Sequence, residues 1–118
     1  MSSKPIHAAH QYAARLNSFK NGAAADGRKV GVLDLLKRAA SVPGLNAVDL
    51  NYPDHVDGLE LKLLKGRLAE LGLTLNGLAM RYYSEPGFKL GAFTNPDAKL
   101  RRTAIDQTKR GIDEMLEL

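Results

Sequence analysis

The run Asp54-His55-Val56-Asp57 brings three oxygen and nitrogen donors together within four residues. Those are metal-ligand types, useful when the side chains converge on one point. The run follows Pro53, so the sequence places it in an exposed turn. Asp57 is also suited to cap a following helix, which accounts for one member without a metal. His7 and His10 have the spacing of one helical face but lie in a polar stretch with no reason to be helical. There is no His-Glu-x-x-His motif. Gly22-Ala-Ala-Ala-Asp-Gly27-Arg28-Lys29 approaches a phosphate loop, with two glycines at the required separation. It lacks the lysine after the second glycine and the hydroxyl that would ligate magnesium. Ser18, Ser41 and Ser84 belong to no nucleophile motif, and Glu60, Glu70 and Glu85 are isolated. More promising are two amides in parallel phrases, Asn17 in RLNSF and Asn51 in DLNYP, each able to donate and accept. Arg81 carries a fixed fork suited to a carboxylate or phosphate, and Tyr52 and Tyr82 offer flat faces.

Patterning supplies the elements that would position these residues. Residues 1–11 read as a flexible polar tail and 12–118 as one folded unit. Tyr12 to Phe19 is a soft strand, weakened by its alanines. Val30 to Ala40 repeats Val32, Leu33, Leu35, Leu36, Ala39 and Ala40 as a broad helical stripe, stopped by Ser41-Val-Pro-Gly44. Asn46 to Tyr52 alternates as a strand, Val48 and Leu50 against Asp49 and Asn51. A helix from Asp57 to about Leu71 buries Leu59, Leu63, Leu64, Leu68 and Leu71, with Gly72 at its left-handed end. Leu73 to Met80 has the near-continuous apolar character of a strand covered on both faces. Arg81 to Thr94 is a long loop. Asn95-Pro96 then opens a helix whose stripe is Leu100, Ala104, Ile105, Thr108, Ile112, Met115 and Leu116. Strand alternating with helix predicts an α/β fold with parallel strands joined by crossovers.

Composition narrows the classes. With 44% hydrophobic and 25% charged residues in 118, the chain suits one small soluble domain or part of a larger one. No apolar run reaches the roughly 20 residues needed to cross a bilayer. The N-terminus is free of acids up to Asp26 and carries Lys4, Arg15 and Lys20, a trace of transit-peptide character. A tail followed by a first strand is the simpler reading. Cysteine is absent, which excludes disulfides and thiolate metal sites and fits the cytoplasm. The net charge is +4. In the last helix, however, Lys99, Arg101, Arg102, Lys109 and Arg110 meet Asp97, Asp106, Asp113, Glu114 and Glu117. That balance argues for a solvated face rather than the one-signed stripe that nucleic acid needs.

Three strings carry a family likeness. Val48–Pro53 (VDLNYP), Gly72–Tyr83 (GLTLNGLAMRYY) and Gly91–Asp113 (GAFTNPDAKLRRTAIDQTKRGID) resemble the xylose isomerase-like sugar isomerase/epimerase barrels. Arg15–Phe19 looks like the first strand of the same group. The likeness runs from about residue 13 onward and implies three βα units of a (β/α)8 TIM barrel, an incomplete barrel in this chain. It implies a divalent metal (manganese, magnesium, cobalt or zinc) held by Glu, Asp and His on later strands. The implied reaction moves a proton between neighbouring carbons of an open-chain ketose or aldose through an enediol. Those strands would lie beyond Leu118, so no catalytic residue or metal ligand is carried over. The chain alone is expected to be inactive.

In such a barrel the substrate sits at the C-terminal strand ends. The resemblance therefore implies sugar contacts for Asn17, Asn51 and Arg81, and stacking for Tyr52 or Tyr82. The plainer alternative is that these residues tie down loops, with Arg81 paired to Glu85. Two further functions stay open. An exposed strand edge suits a non-catalytic fragment that assembles with copies of itself or with a complementary barrel fragment. Phosphate or nucleic-acid binding also stays open, because apurinic-site endonucleases share this barrel family.

Overall fold

The computed structural model describes residues 10–118. The expected tail, with His7, falls almost wholly on residues 1–9 and lies outside the described residues. Three strands, β1 (Ala13–Arg15), β2 (Ala47–Tyr52) and β3 (Thr74–Met80), form one parallel sheet in the order β1-β2-β3. Three helices follow them in turn: α1 (Val32–Ala40), α2 (Leu61–Glu70) and α3 (Ala98–Glu117). The fold is α/β, as the alternating pattern predicts. Among the described residues no helix is long and apolar enough to cross a membrane.

The two faces of the sheet differ sharply. Val48, Leu50 and Tyr52 of β2 point into the core with Leu16, Leu35, Leu36, Ala39, Leu64 and Leu68. Each fully buried leucine there contributes about 2 kcal/mol by leaving water. All three helices lie against this face. The opposite face carries Arg15, Asp49, Asn51, Gly77 and Ala79. There the Asn76 amide donates to Asp49 Oδ1 at 2.8 Å. A bulge between Val48 and Asp49 leaves Asn76 without a register partner and aims it at that carboxylate.

Local chemistry explains the helix boundaries. Before α1, the Asp34 carboxylate accepts the Gly31 N–H at 2.9 Å. Lys37 and Arg38 occupy its last turn, where cations suit the helix dipole. Arg38 also donates to the carbonyls of Phe19, Asn21 and Ala23 at 2.7, 2.7 and 2.8 Å. It thereby fastens the loop between β1 and α1. Gly72 has φ +67° just past α2, the left-handed conformation expected for it.

Several expectations change. The first strand stops at Arg15, and Leu16–Phe19 is a 3-10 turn. Its alanines give the sheet little to pack, whereas Leu16 is wholly buried once the chain turns. Asp57 does not cap α2, which starts four residues later after Glu60; the Asp57 N–H is used in a turn with the Pro53 carbonyl. Leu63, expected in the core, is exposed. β3 is not covered on both faces: Thr74 and Asn76 are exposed and its other residues half-buried. The doubly buried strand is β2, because it sits between two neighbours.

The last helix is capped by Asp97, which accepts the Lys99 N–H at 2.8 Å. Asn95 lies upstream and buried. It accepts the Asp97 N–H and donates to the carbonyls of Gly91 and Gly87, so it ties the long loop to the helix. The apolar stripe is also rotated. Ala104, Gln107 and Gly111 are the buried residues of α3, while Ile112 and Leu116 are exposed. Small residues let the helix approach closely: a Cβ on Gly111 would meet Met80 Sδ at 3.2 Å and the Tyr52 ring at 3.4 Å. A hydrophobic count gives Gly111 no weight, although it defines the contact.

Candidate functional site

Parallel pairing brings all three strands to a common end, so the groups after Arg15, Tyr52 and Met80 meet there. In open and closed α/β sheets alike, this is where ligands bind. The site is organised around the end of β2. Ala47 donates to the Tyr12 carbonyl on the β1 side, whereas the Tyr52 carbonyl accepts the Arg81 N–H on the β3 side at 2.8 Å. Backbone groups alternate along a strand, so those of Asn51 point toward β1. β1 has already ended at Arg15, and the ladder offers Asn51 no partner there. His55 supplies both bonds. The Asn51 N–H donates to His55 Nδ1 at 2.8 Å, and the His55 N–H donates to the Asn51 carbonyl at 2.9 Å. The intervening Tyr52–Pro53 peptide bond is cis.

The Asn51 side chain is held as well. Arg15 Nη2 donates to its Oδ1 at 3.1 Å. Asn51 is 2% exposed, and among the described residues only its side-chain oxygen is engaged in a hydrogen bond. Arg81 reaches back from the end of β3 to Asp54 Oδ2 at 3.5 Å, with its guanidinium 4.8 Å from the centre of the exposed Tyr83 ring. Its partner is thus Asp54, not the Glu85 expected from the sequence. Arg81 Nε is buried without a hydrogen bond among the described residues. Asn17, half-buried in the 3-10 turn, makes no side-chain hydrogen bond among the described residues. It is not the strand counterpart of Asn51 that the parallel phrases suggest.

The two tyrosines face elsewhere. Tyr52 is 3% exposed and packs its ring against Gly111 on the helical side of the sheet. Burial, and then the Glu114 carboxylate, push its hydroxyl above the ordinary tyrosine value. Tyr82 bonds to Thr108 of α3 and meets Phe88 and Phe93 edge-on. Both rings pack against α3 and the loop before it, away from the Asn51–His55 cluster.

His55 is the residue the sequence undervalues. The turn was expected to be exposed, yet His55 is 8% exposed. Burial pushes its imidazole below the ordinary histidine value; Asp54 opposes the shift, while Arg81 and Arg15 add to it. With Nδ1 accepting a backbone N–H, the neutral ring carries its proton on Nε2. His55 also lines a groove of about 450 Å³ between the start of α1 and the β2–α2 turn, beside Arg28, Val32, Asp34, Asp57 and Arg67.

These commitments decide two candidate chemistries. Among the described residues no group of three His, Asp or Glu side chains is placed to hold a metal. In the Asp54-His55-x-Asp57 run, Nδ1 of His55 is taken by the Asn51 amide and Asp54 by Arg81. The run therefore does not converge on a metal-binding point, and the divalent ion that the resemblance implies belongs to other strands in that resemblance. The Gly22–Lys29 loop closes on itself, with Ala24 donating to the Arg28 carbonyl and Gly27 to that of Ala24. Arg28 is engaged by Asp26 and Asp34, so the loop forms no phosphate cradle.

What the strand ends can do is bind. They present a buried amide, two guanidinium groups and an imidazole on rigid elements, a donor-rich set suited to hydroxyl, carboxylate or phosphate oxygens. No protein-family model matches the chain.

Proposed function

We propose that the three βα units are consecutive staves of a (β/α)8 barrel of the xylose isomerase-like sugar isomerase/epimerase group. Their part is to bind the sugar. The observation that carries this reading is the strand order β1-β2-β3 with every helix on one face of the sheet. Crossovers of one hand, always stepping in one direction, put all helices outside and leave the inner face for a barrel interior. A doubly wound sheet reverses direction and covers both faces. The polar inner face, with Arg15, Asp49 and Asn51, suits such an interior.

In this reading Asn51 offers its amide N–H to a sugar oxygen, and Arg81 fixes a hydroxyl or an anionic substituent beside it. Asn17, unengaged among the described residues, is the third contact. The proton transfer between sugar carbons, and the divalent metal assisting it, are assigned to other strands. NMR titration of the labelled chain with D-fructose and with fructose 6-phosphate tests the binding. Shifts should centre on Asn51 and Arg81 and vanish in Asn51→Ala. Shifts confined to the groove beside α1, or none with either sugar, would overturn the assignment. Ketose–aldose conversion by the 118-residue chain with manganese would contradict its purely binding role.

A second reading is supported by the sheet edges, which are open at β1 and β3 among the described residues. Such edges suit assembly with another copy or a complementary fragment. Sedimentation of a monomer at high concentration would remove self-association.

A further inference from the structure

We propose that His55 is a positioning residue for Asn51, and that proton uptake by its imidazole releases the end of β2. The inference rests on the sugar-binding reading only for its consequence, since the hydrogen bonds stand by themselves. The Asn51 N–H points to the side where β1 has run out, and the unprotonated Nδ1 of His55 is its acceptor at 2.8 Å. A protonated imidazole has no acceptor. Protonation therefore replaces an attractive contact with two opposed N–H groups in a buried place. The same four-residue turn carries Asp54, the anchor of Arg81. Releasing it disturbs two of the three proposed sugar contacts together.

The charges around the imidazole act in both directions. Asp54, on its own turn, favours the protonated form. Arg81 at the end of β3 and Arg15 at the end of β1 oppose it, and burial opposes it most. On the groove side it shares a wall with Asp57, with Arg28, Asp34 and Lys37 around the start of α1, and with Arg67 of α2. Because the folded-state value lies below the unfolded one, the unfolded chain takes up the proton first as pH falls. The His55 contribution to stability is complete above about pH 6.5 and is lost as pH drops from there through the folded value.

The test is a nitrogen-15 NMR titration of the chain from about pH 8 to pH 5. We expect His55 to carry its neutral proton on Nε2, and the Asn51 backbone amide to shift with the same midpoint as the imidazole. In His55→Asn, whose short amide oxygen can also accept the Asn51 N–H, that amide should stay in place and lose its pH dependence. In His55→Leu it should be displaced at every pH. A proton on Nδ1 at neutral pH, or an Asn51 amide indifferent to the imidazole titration, would overturn the proposal. The sugar arm is read separately, as D-fructose affinity. It should weaken by up to about tenfold per pH unit below the His55 midpoint in the wild type and stay flat in His55→Asn. Absence of fructose binding beside a coupled titration would sink the sugar reading and leave the positioning role standing. Binding of equal strength at all pH values beside a coupled titration would overturn the link from His55 to the ligand.

Discussion

Arg15 Nη2, at the end of β1, donates to Asn51 Oδ1, near the end of β2, at 3.1 Å. It is a cross-strand contact on the polar face, and it occupies the side-chain oxygen of Asn51. Replacing Arg15 with Met keeps much of the stem and removes the donor, leaving a buried carbonyl oxygen unpaired. The expected loss is about 1 kcal/mol of stability, together with a shift of the Asn51 side-chain NH2 resonances. Unchanged resonances in Arg15→Met would show that the contact does not hold the amide.

Gly111 is the closest approach of α3 to the sheet. A leucine there would drive into Met80 and the Tyr52 ring, so Gly111→Leu should destabilise by about 2 kcal/mol, in the range of core overpacking. Urea denaturation measures it. Ile112→Ala, one position along on an exposed surface, should cost far less. Equal losses for the two would mean that the helix does not pack through its small residues.

Gly72 ends α2 with φ +67°, and nothing lies within 4 Å of where its Cβ would be. The cost of a side chain there is conformational alone. Gly72→Ala should lower stability by about 1 kcal/mol, and Gly72→Asn by less. A more stable Gly72→Ala would rule out the left-handed cap.

Asp34 holds the start of α1. The Gly31 N–H and then the Arg28 guanidinium keep its carboxyl below the usual carboxylate range. Its contribution is present above the unfolded value, about pH 4, and is lost as pH falls through the lowered folded value. The gap in thermal midpoint between the wild type and Asp34→Ala should therefore be steady at neutral pH and close in acid. A gap that widens below about pH 4 would reverse the sign.

Periodicity made the elements legible where apolar residues dominate the contact. α1 and β2 are found where Leu35, Leu36, Val48 and Leu50 indicate them. It misled where contact is made by residues with little hydrophobic signal, as along Ala104, Gln107 and Gly111. Cap chemistry misled where several candidates stand close together. Asn95 and Asp97 can each end a loop, and only the packing of the Gly87–Gly91 segment assigns them. In the strand-end cluster, the positions of Asn51 and Arg81 are legible from their place near the ends of β2 and β3. Those of Arg15 and His55 are not, because each matters through a partner 36 and 4 residues away.

The amino-acid order by itself determined that strands alternate with helices. Burial periods of two and of three to four residues are local properties, readable over a few turns of chain. Only the tertiary structure decided where β1 stops, and that one boundary leaves the Asn51 backbone without a ladder partner. His55 consequently turns inward, Asp54 engages Arg81, and a run of metal-type donors becomes the clasp of a strand end. Backbone hydrogen bonds must be satisfied somewhere, and which side chain satisfies them depends on a neighbouring strand far away in sequence.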